Sequence, residues 1–157
     1  MSFTTSINIE RDFGKTPHYI VTANARQTIG KIINHFASGI HSFCLSGSYG
    51  TGKSSFIHAL ENCLCGKTVG KNVLLSQSGQ FNSFEQFSFI NIVGDYTSLA
   101  NLLASHLNAE SKNVISVLDN HYNRLQLANQ FLVIVIDEFG KVLEHAAKNN
   151  PEKEMYF

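Results

Sequence analysis

Residues 47–54 read Gly47-Ser48-Tyr49-Gly50-Thr51-Gly52-Lys53-Ser54. This is G-x-x-x-x-G-K-[ST], the phosphate-loop pattern called Walker A. Each fixed position has a physical task. Gly47 and Gly52 let the backbone take left-handed or crowded conformations beside a polyphosphate. The loop N–H groups then form a concave nest for phosphate oxygens. Lys53 brings a mobile ammonium to the β- and γ-phosphates, and Ser54 offers a hydroxyl to Mg²⁺. Gly50 adds freedom inside the variable stretch. With glycine at roughly 7% of residues, random sequence of this length shows the pattern in about one chain in a hundred, so the flanking residues have to carry the rest of the reading.

The pattern has meaning only where a strand leads in and a helix leads out. Ile40–Leu45 (Ile-His-Ser-Phe-Cys-Leu) is a short apolar-rich run that ends at the loop and reads as the strand. Phe56, Ile57, Leu60 and Leu64 follow at helical spacing. The N-terminus of that helix would add its partial positive charge to the phosphate site.

The 157 residues predict one domain with a real core. Formal charge is zero, so nothing global argues for a nucleic-acid or membrane partner. Charged residues make up 15% of the chain, fewer than usual, which suggests a polar-neutral or covered surface. Met1–Glu10 lacks the apolar stretch of a signal peptide, and no run approaches the length of a membrane-spanning helix; the expectation is a cytoplasmic protein. Cys44 reads as a small buried residue of the strand. Cys63-x-Cys65 lacks zinc-site spacing, so all three thiols are expected reduced.

Along the chain, residues 1–18 form an N-terminal segment with few signals, Gly14 and Pro17 marking a loop. Tyr19-Ile20-Val21 is extended, and Asn24 precedes a helix carrying Ile29, Ile32, Ile33 and Phe36, closed by Gly39. The stretch 66–80 is loop with a short strand at Val73–Leu75. Phe87–Val93 is aromatic and β-branched, hence a strand. Leu99, Leu102, Leu103 and Leu107 mark one helix; Val114, Leu118, Tyr122 and Leu125 mark another, with Ser111 a candidate N-cap. Phe131–Ile136 (Phe-Leu-Val-Ile-Val-Ile) is continuously apolar, as a central parallel strand buried on both faces would be. Phe139–Ala147 reads as a short helix, broken at Asn149-Asn150-Pro151. Strands alternating with helices predict an α/β fold with a mostly parallel sheet covered on both faces, its ligand site outside the carboxyl ends of the strands.

Ile136-Asp137-Glu138 lies at such an end and looks like Walker B. A strand held rigidly can place Asp137 to bind Mg²⁺ directly or through water. Glu138 is then placed to orient and deprotonate a water attacking the γ-phosphate. The blander roles are a helix N-cap for Asp137 and a solvated first-turn acid for Glu138.

With both motifs present, residues 19–147 resemble P-loop NTPases of the additional-strand, catalytic-glutamate division, which contains AAA+ and STAND ATPases. Tyr19–Phe36 resembles the linker and helix that precede the phosphate loop there. The phrases Gly39-Ile40-His41-Ser42-Phe43, Tyr49-Gly50-Thr51-Gly52-Lys53-Ser54-Ser55-Phe56 and Asp137-Glu138-Phe139-Gly140-Lys141 resemble large bacterial ATPases, several of which are thought to sit in anti-phage defence loci. The resemblance implies a three-layer αβα core over residues 19–157, with Walker A at 47–54 and Walker B at 131–138. It implies ATP and Mg²⁺ as cofactors, and phosphate binding by Gly47, Ser48, Tyr49, Gly50, Thr51, Gly52, Lys53, Ser54 and Ser55. Ser54 and Asp137 would hold the metal, and Glu138 and Lys53 would be catalytic. A complete core of that family continues past Walker B with a sensor strand and, in AAA+ proteins, an arginine finger and lid. About twenty residues follow Asp137, so the chain reads as truncated after the Walker B strand and its following helix, and the isolated piece is expected to hydrolyse poorly. Its partners would be nucleotide and either further copies of itself or the remainder of a larger ATPase, with nucleic acid only through missing regions.

Three alternatives stay open. Asp137-Glu138-Phe139-Gly140 fits the GTPase pattern D-x-x-G, although no Asn-Lys-x-Asp guanine motif is present. A small-molecule kinase would share Walker A without needing Glu138. A STAND-like assembly switch would use the same residues with slow hydrolysis. The seven histidines (18, 35, 41, 58, 106, 121 and 145) are scattered and read as surface or partly buried rings. Arg26 reads as surface charge or as a contact to the base, and Tyr49 as a cover for phosphate or as packing. Phe81, Phe84, Phe87 and Phe89 lack the interleaved basic residues of a nucleic-acid platform and read as core.

Overall fold

The computed structural model describes residues 7–13, 15, 19–65 and 86–149. They fall into two compact units, one drawn from Met1–Ile7 and Asp12–Phe87, the other from Asn8–Arg11 and Ser88–Phe157. The expected strand at Val73–Leu75, Phe81, Phe84, Gly14, Pro17, His18 and the break at Asn150-Pro151 lie outside the described residues.

In the first unit, helix α1 (Ala23–Ala37) starts where Thr22, in an extended conformation, accepts the Ala25 N–H on its hydroxyl at 3.2 Å. The helix therefore already includes Asn24, one turn earlier than its apolar face at Ile29 suggests. At its other end Gly39 takes φ +85°, the Gly39 N–H donates to Phe36 O and the Ile40 N–H to Phe36's predecessor, His35 O, at 2.9 Å. That pair of bonds is a Schellman ending, which needs a left-handed residue and finds it in glycine. Helix α2 (Lys53–Leu64) follows the glycine loop. The two helices share one apolar cluster: Ala25 and Ile29 from α1 and Phe56 and Ala59 from α2 are buried, with Tyr19, Val21, Ile32, Ile33, Leu45 and Leu60 packed against them. Burying Ile29 and Phe56 is worth about 1.5–3 kcal/mol each. Burial also pushes the Tyr19 phenol above its ordinary range.

Ile40–Leu45 is not a strand. The described residues contain one sheet, and this segment is no part of it. Only Leu45 reaches the apolar cluster; Ile40 and Phe43 are exposed. Cys44, expected in a buried strand, is exposed as well. The run lacks a clean division into an apolar and a polar face, and among the described residues its backbone has no ladder partner.

The second unit is built on strands β1 (Gln86–Val93) and β2 (Gln130–Asp137), which form a two-stranded parallel sheet. Between them run α3 (Leu99–Leu107), a 3₁₀ turn (Ser111–Asn113) and α4 (Val114–Leu127); α5 (Gly140–Asn149) follows β2. Ile92, fully buried, lies two residues from Ile90 on one face of β1. Both pack with Leu102, Leu103, Ala104, Val114, Val142 and Ile136. Ser98 caps α3 by accepting the Asn101 N–H at 3.2 Å, and Asn108 ends it with φ +50°. Ser111 does not cap α4. It opens the 3₁₀ turn and its hydroxyl donates to Asn101 Oδ1, so the polar side chain serves a tertiary contact instead. Nor is β2 buried on both faces: its residues are half-buried and Ile134 is 38% exposed, because a two-stranded sheet with helices packed as here does not enclose every apolar side chain of the run. The outer side of β1 meets the turn at Asn8–Arg11, where Glu10 Oε1 accepts the Val93 N–H at 2.6 Å and Asn91 Nδ2 donates to Ile9 O at 3.3 Å. The mixed α/β class is as expected. No helix of the described residues is long and apolar enough to cross a membrane.

Candidate functional site

The glycine loop enters α2 through a left-handed residue. Gly52 is the N-cap of α2 with φ +83°, and it supplies no side-chain acceptor to the first turn. That first turn also holds no acidic residue. The partial positive charge of the helix N-terminus is therefore not offset by an acid of its own first turn. Gly50 is left-handed too, at φ +78°. Between them Thr51 ties the loop into a turn, its hydroxyl donating to Ser48 O at 2.8 Å. Gly47 sits close under this turn: a Cβ there would meet Thr51 Oγ1 at 3.2 Å.

Lys53, the first residue of α2, folds back over the loop. Its ammonium donates to Gly47 O at 2.9 Å and to Ser48 O at 3.0 Å. The cation thus lies at the loop, held by neutral acceptors that a phosphate oxygen would outcompete. Ser54 and Ser55 are half-buried beside it, while Tyr49 projects from the loop tip, 97% exposed. Arg26 is exposed on α1.

Asp137 and Glu138 lie in the second unit. Asp137 is the last residue of β2, half-buried, and its Oδ1 accepts the Glu138 N–H at 2.9 Å. Glu138 turns the chain with φ +54°, a left-handed conformation that costs a side chain with a Cβ roughly 1–2 kcal/mol. Its carbonyl accepts the Lys141 N–H at 3.0 Å, and its carboxylate pairs with the Lys141 ammonium at 2.6 Å. That contact raises Lys141 above the ordinary lysine value, first by the hydrogen bond to Glu138 and then by the charges of Glu138 and Asp95. Asp95 and Tyr96 follow β1; the Tyr96 ring meets His145 edge-on at 5.1 Å and lies under the Lys148 ammonium at 5.8 Å.

The loop residues therefore come together in one unit and the two acids in the other. No motif in the sequence points to Gly94, which packs against the acidic turn, or to Lys141, which pairs with Glu138. A glycine directly after an apolar strand was the available signal for the first. The His58 ring, expected at the surface or partly buried, is 2% exposed on α2, which also buries Glu61 and Asn62. Helical spacing put the apolar face of α2 in view but could not show how wide the buried face is.

No family model, curated protein or solved structure matches this chain.

Proposed function

We propose that this chain binds ATP through the loop Gly47–Ser54, as a P-loop NTPase of the additional-strand, catalytic-glutamate division with a three-layer αβα core. The observation that carries the reading is the passage from Gly52, left-handed at φ +83°, into α2 with the Lys53 ammonium turned back onto the Gly47 and Ser48 carbonyls. Loop N–H groups, a helix N-terminus without an acid in its first turn, and a lysine at the same place suit a polyphosphate.

Ser54 and Asp137 are the residues proposed to hold Mg²⁺. Their oxygens suit a hard cation, and Mg²⁺ bound with nucleotide usually takes one or two protein oxygens alongside phosphate and water. Among the described residues no group of three or more His, Cys, Asp or Glu could hold a metal by itself, so the fit is to a metal that arrives with phosphates. When bound, Mg²⁺ would neutralise phosphate charge. Lys53 would bind and polarise the β- and γ-phosphates. Glu138 would orient the attacking water and accept its proton.

A second reading is a nucleotide-dependent assembly switch with slow hydrolysis. It would draw on the Glu138–Lys141 pair, because the ammonium at 2.6 Å engages Glu138 Oε2 and leaves a single carboxylate oxygen for a water.

Equilibrium binding of ATP and GTP, each with and without Mg²⁺, tests the proposal. ATP binding tighter than GTP binding is expected. A preference for GTP would favour the D-x-x-G reading at Asp137–Gly140. Turnover at an ordinary enzymatic rate would count against the switch.

A further inference from the structure

We infer that Gly94 is a positioning residue for the acidic turn Asp137–Glu138: it lets the end of β1 press against the two carbonyls of that turn and so holds Glu138 in its left-handed conformation. The inference deepens the proposed function and rests on it for the roles of Asp137 and Glu138.

Three observations meet at this point. The Gly94 N–H donates to Asp137 O at 2.7 Å. A Cβ on Gly94 would stand 2.7 Å from Glu138 O, 3.0 Å from Glu138 C and 3.0 Å from Asp137 O. Glu138 has φ +54°. All the obstructing atoms are backbone. A side chain can swing out of the way by changing rotamer, but a carbonyl moves only with its peptide plane. Any residue other than glycine at position 94 therefore forces either β1's end or the Asp137–Glu138 peptide to shift. Gly94 itself is buried and its backbone is not left-handed. Its value here is the missing Cβ rather than unusual dihedral freedom.

The consequence reaches the side chains of the turn. Strain in a left-handed non-glycine residue persists only when its surroundings over-determine it. On one side of Glu138 the Gly94 contact fixes the Asp137 and Glu138 carbonyls. On the other, the Lys141 N–H and ammonium fix the Glu138 carbonyl and carboxylate. Loosening the first contact lets the turn relax toward a commoner dihedral, and the directions of both carboxylates change with it.

The test compares the wild-type chain with Gly94→Ala, Asp137→Asn and Lys53→Ala, with Gly30→Ala as a control at a helical glycine that has open space around it. The first readout is NMR of the turn. The one-bond Cα–Hα coupling of Glu138 is expected to report positive φ in the wild type and to lose that signature in Gly94→Ala, while α3 and α5 amides keep their shifts. The Gly94 amide of the wild type is expected to exchange slowly, so the inference is exposed even if Gly94→Ala fails to fold. Fast exchange of that amide, or a Glu138 coupling unchanged by Gly94→Ala, overturns it. The second readout is ATP affinity with and without Mg²⁺. Gly94→Ala is expected to keep Mg²⁺-free affinity and to lose the Mg²⁺-dependent gain to the extent that Asp137→Asn does. Retention of the full gain in Gly94→Ala when Asp137→Asn loses it also overturns the positioning role. Unchanged ATP binding in Lys53→Ala instead overturns the nucleotide reading, and the NMR readout still decides the fate of Gly94.

Discussion

The Lys141 ammonium and the Glu138 carboxylate meet at 2.6 Å, three residues apart across the start of α5. Both side chains are about half exposed, so the pair adds little to stability. It does set the direction of the Glu138 carboxylate. The sign of its pH dependence follows from the raised Lys141 value. A lysine whose folded-state value lies above its unfolded one contributes fully below the unfolded value, and the contribution is lost as pH rises through the folded one. The Lys141 side-chain titration, followed by NMR at its Cε, is expected above the ordinary 10.5. Glu138→Gln should return it toward that value. A wild-type midpoint at or below 10.5 would show that the pair does not persist in solution.

Ile92 has no exposed surface and is surrounded by Leu102, Leu103, Val114 and Val142. Ile92→Ala removes three carbons from a packed site and leaves a cavity. The expected loss is about 2–5 kcal/mol of unfolding free energy, measured by urea denaturation and followed through α3 and α4. A loss under about 0.5 kcal/mol, ordinary for a surface change, would mean the cluster is not the core of the second unit.

His58 is 2% exposed, and among the described residues neither of its ring nitrogens has a hydrogen-bond partner. A buried polar group left unpaired costs about 1–3 kcal/mol. His58→Leu keeps a similar volume and removes that cost, and the Asn62 Nδ2 bond to the His58 backbone carbonyl survives the change. The variant is expected to melt at higher temperature than the wild type. A lower melting temperature would indicate that the imidazole has a partner in solution, such as an ordered water.

How far the fold could be read from the residues depended on the range of the forces involved. Leu99, Leu102, Leu103 and Leu107 mark the two ends of α3 because helical spacing is local. The same holds for Gly39, whose left-handed ending of α1 needs only the preceding turn. Ile40–Leu45 failed because a strand is defined by a partner, and its alternation does not sort apolar from polar side chains. The apolar run of β2 was legible as a strand, but its depth was not, since depth depends on what covers it. At the candidate site, the loop residues and the Asp137-Glu138 pair stood out as motifs. Gly94 against Glu138 O, and the φ of Glu138 itself, arise from a backbone contact between residues 44 positions apart, which no local pattern encodes.

The central claim is that the loop Gly47–Ser54 binds the phosphates of ATP, and the most direct measurement is Mg²⁺-ATP affinity of the wild-type chain against Lys53→Ala by isothermal titration calorimetry. Charge-assisted hydrogen bonds contribute about 1.5–3 kcal/mol, so the variant is expected to bind roughly tenfold to over a hundredfold more weakly, with its far-ultraviolet circular dichroism unchanged. Equal affinity of the two proteins, or no binding by the wild type, would contradict the account.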